Sequence, residues 1–499
     1  MTAIDRDDPR DDLDALERRA LDDRDALEAL LVRCAAIARE SHLFSPDPDA
    51  FARCGRAIEL FDLASLDGAP LGERSREAVA QLSSALGRRA LADGAPELAV
   101  TQLERARSAA LRAPSERAVV LHDLAQCYEV LSDAATAEAR WRECLDACAE
   151  SAPSVERDFY ERTSAERLAS SARSRNDRLE AQRFERIADA CDDREIEREV
   201  AQNAEAERFF SAAWDGTTPP QIAHEARWIE RSQGVVHATR PSEVTRAEDL
   251  VATVECPIIF GPARDDRCLC GAVEGRSQRG VVCDRCGVEV QRAARRRARF
   301  GHIELAERRF HPCALVDGAF GSLVSLALDL DPARLALVRS RARCIRYLAR
   351  SPRGVDTLAP DSEELAAFDA GRGDPAFNVA TGDEAIMDAL ASLDARGARD
   401  EVQLELRALR AHKTAHRADV RSRVDWLAAR GEALALLEAG ASLLIERVPV
   451  LSQPRLAEMG RSDAVTPLYE ALLGAQSGHE IDVALAALVR AFAATPTHA

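Results

Sequence analysis

The sequence predicts a mainly α-helical protein in three parts: an N-terminal helical solenoid, a small ribbon held by four cysteines and a C-terminal helical region. Ala, Leu, Arg and Glu dominate the 499 residues, and aromatic residues make up only 4%, a composition that favours helix over sheet. From about residue 12 to 215 the apolar residues recur at intervals of three and four, the period of an amphipathic helix. The net charge of −18 argues against polyanion binding by the whole molecule but leaves room for a local basic patch.

Two segments in the N-terminal half share a spacing of small residues, ALGRRALADGAPELAVTQLERA and DLAQCYEVLSDAATAEARWRECL. The small positions are Gly87, Ala99 and Ala106 in the first copy and Ala125, Ala137 and Cys144 in the second, with Leu103, Tyr128 and Trp141 as the large residues. A third copy, LASSARSRNDRLEAQRFERIA, is more degenerate. The pattern resembles the tetratricopeptide repeat, in which small residues let two antiparallel helices touch. It predicts protein–protein contact rather than chemistry; a generic helical bundle is the alternative.

The helical pattern is interrupted at DGTTPPQIAHE, and strand-like, turn-rich sequence follows in EVTRAEDLVATVECPIIFGPARDD. The predicted division is an acidic tail at 1–11, the repeat domain at 12–215, a linker at 216–235, a ribbon domain at 236–320 and a helical domain at 321–499. The acidic N-terminus does not resemble a signal peptide. The apolar stretch EALALLEAGASLLIERV contains glutamates and is too short to span a bilayer. We therefore expect a cytoplasmic protein without membrane contact.

The 13 cysteines are expected to be thiols or metal ligands in a reducing compartment. Those that occur singly at helical spacing are predicted to be buried as small hydrophobic residues: Cys34, Cys54, Cys127, Cys144, Cys148 and Cys191. His412 and His416 lie at i and i+4 but lack an evident third ligand, so they are interpreted as part of a solvated helix face.

A different pattern joins Cys268, Cys270, Cys283 and Cys286, which read C-x-C, twelve residues, then C-x-x-C. Four thiolates at two close-spaced corners can surround one tetrahedral Zn²⁺ and leave no position for a reacting water. Gly271 and Gly287 each follow a closing cysteine, where the chain must turn. We predict one structural Zn²⁺; an iron–sulfur cluster is the minor alternative. Cys256, Cys313, His302 and His311 are nearby, but a complete set of four cysteines needs none of them.

The run 256–306 carries five motifs in order: IFGP at 259–262, CLCG at 268–271, GVVCDRCGVEV at 280–290, an Arg-rich helix at 295–299 and GHIELA at 301–306. It resembles the N-terminal zinc-binding region of the bacterial RNA polymerase β′ subunit. Weaker similarity extends the resemblance to about 232–475, through RSQGVVHATRPSEVT, the Leu-rich helix pair SLVSLALDLDPARLALVR, TGDEAIMDALASLD, RVPVLSQPRL and SDAVTPLYEALL. In these terms 236–320 is a β′-like zinc ribbon and 321–499 a clamp-like helical domain.

The chain also departs from that family. ERRFHPCALVDG replaces the family's segment after HIELA, and the catalytic loop with three aspartates is absent. Its nearest imitation, Asp329-Leu330-Asp331, lacks the glycine and the third aspartate of that loop, so the two Mg²⁺ of polymerisation have no site. The chain is therefore expected not to be an enzyme by itself.

The resemblance implies a non-catalytic, transcription-associated protein that binds RNA polymerase subunits, nucleic acid or both, targeted by the repeat domain through an unknown protein ligand. The candidate contact residues are Arg276, Arg279, Arg295, Arg296 and Arg299, since basic side chains beside a rigid metal site can neutralise phosphates. A solvated face paired with acidic residues is an equal alternative for them. Two other functions stay open: a protein-interaction scaffold with a purely structural zinc ribbon, and a subunit of a split or divergent polymerase.

Overall fold

A computed structural model of the chain describes residues 9–20, 23–40, 48–66, 72–108, 113–211, 225–239, 247–351, 355–359, 361–411, 418–439 and 443–493. The protein is mainly helical with few strands, as predicted. It divides into two compact units, Met1–Glu195 and Ile196–Ala499. Residues 1–8 of the predicted acidic tail, 216–224 of the predicted linker, and both His412 and His416 lie outside the described residues. Among the described residues, no helix is both long and apolar enough to cross a bilayer.

The first unit is built from consecutive helices, each of which packs against the next along the chain. The helices are α1 Pro9–Arg19, α2 Arg24–Glu40, α3 Pro48–Leu66, α4 Glu73–Ala92, α5 Pro96–Ser108, α6 Pro114–Val130, α7 Ala134–Glu150, α8 Val155–Ser174 and α9 Arg178–Ser211, the last of which continues into the second unit. All six singly spaced cysteines are buried here, as predicted.

Three turns in this unit have the same geometry. They follow α4, α6 and α8, and each contains one residue in the left-handed region: Gly94 (φ 75°), Ser132 (φ 64°) and Asn176 (φ 62°). In each turn the next residue donates its N–H to a carbonyl five residues earlier, in the pairs Ala95–Ala90, Asp133–Tyr128 and Asp177–Ala172, all at 2.9 Å. This pattern closes a helix by satisfying its last carbonyl groups. The segment that was the most degenerate in sequence therefore has the same turn as the two clear copies.

The small residues lie where helices touch. A Cβ added to Gly87 would lie 2.5 Å from Leu103 Cγ, so only glycine allows α4 and α5 to approach this closely. The predicted small and large positions of the first two copies are buried, with Tyr128 partly so. The third copy has equivalents at Ala169, Ala181, Phe184 and Ala188, all buried. The helix contacts are thus as the spacing predicts, while their interpretation as a tetratricopeptide-like solenoid stays a prediction.

The second unit combines short and long helices with two small sheets. Its elements after α9 are α10 Glu225–Ile229, α11 Pro257–Phe260, β1 Phe300–Phe310, α12 Leu323–Leu328, α13 Pro332–Arg339, β2 Cys344–Leu348, β3 Asp356–Leu358, α14 Glu363–Asp369, β4 Phe377–Ala380, α15 Gly382–Ser392, α16 Ala395–Ala411, α17 Ala418–Glu438, β5 Leu444–Leu451, α18 Gln453–Glu458, α19 Ser462–Gly474 and α20 Gly478–Ala493. The Leu-rich helix pair predicted from the sequence is α12 and α13.

The first sheet joins distant parts of the chain. Strand β1 pairs antiparallel with β5, with Phe300 opposite Leu451 and Ile303 opposite Val448. On its other side β1 meets residues 234–236, where the Val236 N–H donates to the His302 carbonyl at 2.7 Å. A Cβ on Gly301 would lie 2.9 Å from Ile259 Cγ2 and 3.0 Å from the carbonyl oxygen of Gly234. The glycine of GHIELA therefore lets this strand pack directly on its neighbours.

The second sheet has the order β3-β2-β4, and α12, α13, α15 and α17 contribute to the core beside it. The two aspartates that imitate part of a catalytic loop have structural roles here. Asp329, in the left-handed region, ends α12 and pairs with the buried Arg430 at 3.1 Å. Asp331 caps α13 by accepting hydrogen bonds from the N–H groups of Ala333 and Arg334.

Two local predictions differ from the structure. The described part of the segment expected to be strand-like, 247–266, contains turns, the 3₁₀ helix Ala247–Leu250 and the short helix α11, because Pro257 favours a first helical turn and Gly261 (φ 98°) ends it. The Arg-rich run forms the 3₁₀ helix Ala293–Arg297 rather than a longer regular helix. It ends there because β1 begins at Phe300.

Candidate metal centre

Four thiols meet at one point of the second unit. The Sγ atoms of Cys268, Cys270, Cys283 and Cys286 all lie within 4.8 Å of one another. The Sγ–Sγ distances are 3.6 Å from Cys268 to Cys270 and 3.6 Å from Cys270 to Cys283. A tetrahedral zinc site with Zn–S bonds of about 2.3 Å has S–S edges of about 3.8 Å. Two of the edges are therefore close to those of a tetrahedral site, and the cluster can hold a metal.

Two loops of matching geometry carry the cysteines. The Cys268 N–H donates to the Val273 carbonyl at 3.0 Å, and the Cys283 N–H donates to the Val288 carbonyl at 3.1 Å, five residues ahead in both cases. The glycine that follows each closing cysteine is in the left-handed region, with φ 74° at Gly271 and 67° at Gly287. These turns confirm the predicted role of both glycines, because residues with a Cβ are strained in that region.

The loops also favour ionisation of two of the four thiols, Cys268 and Cys286. Burial raises the pKa of Cys268, but the Val273 N–H, which donates to its Sγ at 3.3 Å, and the neighbouring thiols lower that pKa to about 6. The pKa of Cys286 is lowered as well, with backbone N–H groups and two thiols opposing the effect of burial. Metal ions bind the thiolate and not the thiol. The charged form that a metal ligand needs is thus favoured at Cys268 and Cys286. At Cys270 the Ala272 N–H lowers the pKa, but burial and the neighbouring thiols raise it to about 11.

Little apolar packing holds these loops together. Their core cluster consists of Cys268, Cys283, Val288 and Val290, with only Leu269, Val273 and Cys286 packed against it. Such a small core supplies little stabilisation, and small domains of this kind depend on disulfides or metals. A metal ion bound by the four thiols would therefore add stability that the apolar packing of these loops does not supply.

The four nearby candidates lie outside the cluster. Cys256 and Cys313 are buried in the core, and burial raises the pKa of Cys313 to about 11. His311 is fully buried, with Nε2 donating to the Phe209 carbonyl at 2.7 Å and Nδ1 accepting from the Cys313 N–H at 3.2 Å. Its two ring nitrogens are both used, and burial lowers its pKa to about 4. His302 is buried as well, and its Nδ1 lies 2.8 Å from Ser232 Oγ.

A second group of possible ligands lies in the first unit and was not predicted. Asp158, Glu161 and Cys191 come together there, but Arg194 occupies the position between them. Its guanidinium lies 2.7 Å from the Asp158 carboxylate, 2.6 Å from that of Glu161 and 3.2 Å from the Cys191 sulfur. Burial raises the pKa of Cys191 to about 12. The arginine thus supplies the positive charge of this cluster, which is an internal ion-pair network.

Most of the arginines predicted to contact a partner have acidic neighbours in the same chain. The pairs are Arg279–Asp266 at 2.5 Å, Arg295–Glu199 at 2.6 Å and Arg299–Glu289 at 2.6 Å. Arg276 begins the 3₁₀ helix Arg276–Gln278 within the ribbon. Phosphate or partner contact by these residues stays a prediction. Any such partner would have to compete with the existing ion pairs.

Arg296 has a different environment. It is only 9% exposed, and its guanidinium donates to the carbonyl oxygens of Gly261, at 2.5 Å, and Glu255, at 3.3 Å. Burial lowers its pKa. The side chain thus ties the Arg-rich run to the IFGP turn, which is a structural role that the sequence pattern did not indicate.

No family model matches the chain, but curated proteins do. The chain is 38% identical over 160 residues to the DNA-directed RNA polymerase subunit beta' of Opitutus terrae. The aligned residues are 31% of this chain and 11% of that protein. It is 36% identical over 152 residues to the same subunit of Anaplasma marginale, covering 30% and 10%. The match to Clostridium beijerinckii is 36% over 156 residues, covering 30% and 13%. The chain thus spans about a tenth of the length of these relatives, and it carries a β′-like segment.

Proposed function

We propose that the protein is a non-catalytic, transcription-associated binding protein whose β′-like part contacts RNA polymerase, nucleic acid or both. The observation that carries this proposal is the β′-like segment itself, together with the way its motifs pack. Four segments that are separated in sequence contact one another in one core: residues 234–236, the IFGP turn, GHIELA in β1 and RVPVL in β5. A surface shared with β′ would follow from a shared core of this kind.

The zinc ribbon is part of the same proposal. We assign one structural Zn²⁺ to Cys268, Cys270, Cys283 and Cys286, on the support of their spacing, the lowered thiol pKa of Cys268 and the small core around them. Four protein ligands leave no position for a substrate. The ion would therefore fix the shape of the ribbon and take no part in a reaction.

The first unit is proposed to be the targeting module. Its three equivalent turns at Gly94, Ser132 and Asn176 support a tetratricopeptide-like repeat, because three copies of one helix–turn–helix unit stack into an open surface. In this scheme the repeat surface binds a protein ligand and brings the β′-like part to its site of action.

Two alternatives make different predictions. A protein-interaction scaffold with a structural zinc ribbon would bind neither polymerase nor nucleic acid. A subunit of a split or divergent polymerase would support RNA synthesis only together with a partner chain that carries the missing aspartate loop. Under the main proposal the purified chain binds but does not polymerise nucleotides.

The deciding experiment is an affinity capture from native lysate, with the full-length chain as bait, scored for RNA polymerase subunits. The capture is repeated with purified polymerase and with a DNA duplex to identify direct contacts. We expect polymerase or the duplex to be retained by the wild type and by the control Cys344→Ser, and to be lost with Cys283→Ser/Cys286→Ser. Capture of neither by the wild type would favour the scaffold.

A further inference from the structure

The part of α9 that belongs to the second unit lies along the Arg-rich run. Glu199 Oε1 is 2.6 Å from Arg295 Nη1, and Glu197 Oε1 is 2.9 Å from Arg297 Nη2. The local sequence EIEREV places these two glutamates two residues apart, and their arginine partners are also two residues apart. Two carboxylates of one helix thus pair with two guanidinium groups of one short segment, and Glu458 of α18 pairs with Arg297 as well.

Apolar contacts hold the helix in this register. Ile196 and Val200 are buried and form one cluster with Ala298, and Ala294 packs against it. Between the same two segments, Asn203 donates through Nδ2 to the Ala298 carbonyl at 2.7 Å. The helix therefore covers the arginine segment by direct packing and not by charge alone.

The helix is held more firmly at its end than at the glutamates. Glu207 makes two hydrogen bonds with Arg455, at 2.6 and 3.0 Å, and the Phe210 ring stacks on Phe492 at 4.3 Å. By contrast, the Glu197 side chain is 60% exposed, and ion pairs this accessible to water contribute little stability. Residues 196–203 thus form a cover over the arginine segment that is anchored at its C-terminal side and carries one weakly held charge, at Glu197.

We propose that Arg295 and Arg297 form a polyanion-binding surface and that the acidic cover 196–203 is its built-in competitor. Carboxylate and phosphate oxygens bind the same guanidinium N–H groups, so Glu197 and Glu199 occupy the positions that backbone phosphates would take. A tethered competitor acts at an effective concentration of about millimolar, which is enough to oppose non-specific nucleic-acid binding. This inference rests on the proposed function, since it takes nucleic acid as the polyanion.

The test compares the full-length wild type with Glu197→Gln/Glu199→Gln in binding to a DNA duplex of arbitrary sequence at low salt. We expect the variant to bind roughly three- to tenfold more tightly, the effect of removing two partly exposed ion pairs. The magnitude of its salt slope should rise by about one for each phosphate newly contacted. Adding Arg295→Gln/Arg297→Gln to the variant should cancel both gains.

The matched control is Asp400→Asn/Glu401→Gln, which removes the same charge from exposed positions on α16. An equal gain in this control, or a gain that survives loss of the arginines, would overturn the inference. Hydrogen exchange of residues 196–203 is measured in parallel, because it reports the cover without any ligand. Faster exchange in the variant with no DNA binding by any form would show that the cover exists but that the polyanion assignment is wrong. Unchanged exchange and unchanged binding would reject the cover.

Discussion

At the scale of single residues, the two turn glycines of the ribbon differ in what surrounds them. A Cβ on Gly271 would lie 2.6 Å from the Arg267 guanidinium, whereas a Cβ on Gly287 would make an ordinary contact of 3.5 Å with Ile258. Substitution of Gly287 by alanine therefore adds the conformational strain of the left-handed backbone without a steric clash. The effect of this substitution on metal binding shows how much the backbone geometry alone contributes to holding the four thiols in place.

We expect Gly287→Ala to cost about 1–2 kcal/mol, the strain of an L-residue in the left-handed region. If the turn forms only with the metal bound, zinc affinity falls roughly five- to thirtyfold, measured by competition with a chromophoric chelator. The control is Gly55→Ala, in α3, where an added Cβ meets no atom within 4 Å. Equal zinc affinity in wild type and Gly287→Ala would show that this turn does not need glycine.

Residue chemistry was predictable from the sequence where the partners are close in the chain. Gly271 and Gly287 directly follow their cysteines, so local spacing was sufficient to place them. The partners of the arginines were not predictable in this way, because Glu199 lies 96 residues before Arg295 and Glu255 lies 41 residues before Arg296. The basic run therefore left phosphate binding and pairing with acidic residues equally open, and its contacts within the chain are carboxylates and carbonyl groups.

At the scale of elements, the repeated turn sets the geometry of the helix pairs in the first unit. The turns at Gly94 and Ser132 have the same hydrogen bonds and nearly the same φ, but only one of them has glycine. Nothing lies within 4 Å of a Cβ added at Gly94. Any cost of substitution there is therefore conformational.

We expect opposite substitutions in these two turns to have unequal effects. Gly94→Ala should lower the free energy of unfolding by about 1 kcal/mol, because alanine is strained in the left-handed region. Ser132→Gly should leave it unchanged or raise it slightly, because relief of the same strain offsets the greater flexibility of glycine in the unfolded chain. Urea unfolding followed by helix circular dichroism measures both. Equal losses in the two variants would mean that the turns are not equivalent.

The helices were easier to predict than the strands, for a physical reason. The periodicity of α12 and α13 and the small residues of the repeats are local signals, carried within one or two turns of helix. The pairing of β1 with β5 joins residues about 150 positions apart, and local periodicity contains no information about such a partner. The similarity to β′ supplied the order of these motifs but not their contacts.

At the scale of the whole molecule, the four-cysteine loops and the helical unit Met1–Glu195 have separate sources of stability. The helical unit contains its own buried clusters, such as the one around Leu27 and Leu31. The ribbon has few apolar contacts of its own, but it is flanked by Phe260 and Phe300, which belong to the large core of the second unit. Loss of zinc should therefore unfold a limited part of the chain.

We expect Cys283→Ser/Cys286→Ser to release zinc from the full-length chain and to remove the hydrogen-exchange protection of about 266–291. Metal binding at such a site is itself folding free energy, and no other large term replaces it there. The core around Phe260, Phe300 and Val448 should keep β1 paired with β5. The disorder should therefore not extend over the whole motif run 256–306. Zinc content and segment-resolved hydrogen exchange measure the two effects, with Cys344→Ser as the control for loss of a thiol outside the cluster.

Stoichiometric zinc in the Cys283→Ser/Cys286→Ser variant would contradict the ligand assignment. Lost protection throughout Met1–Glu195 would contradict the separation of the two sources of stability.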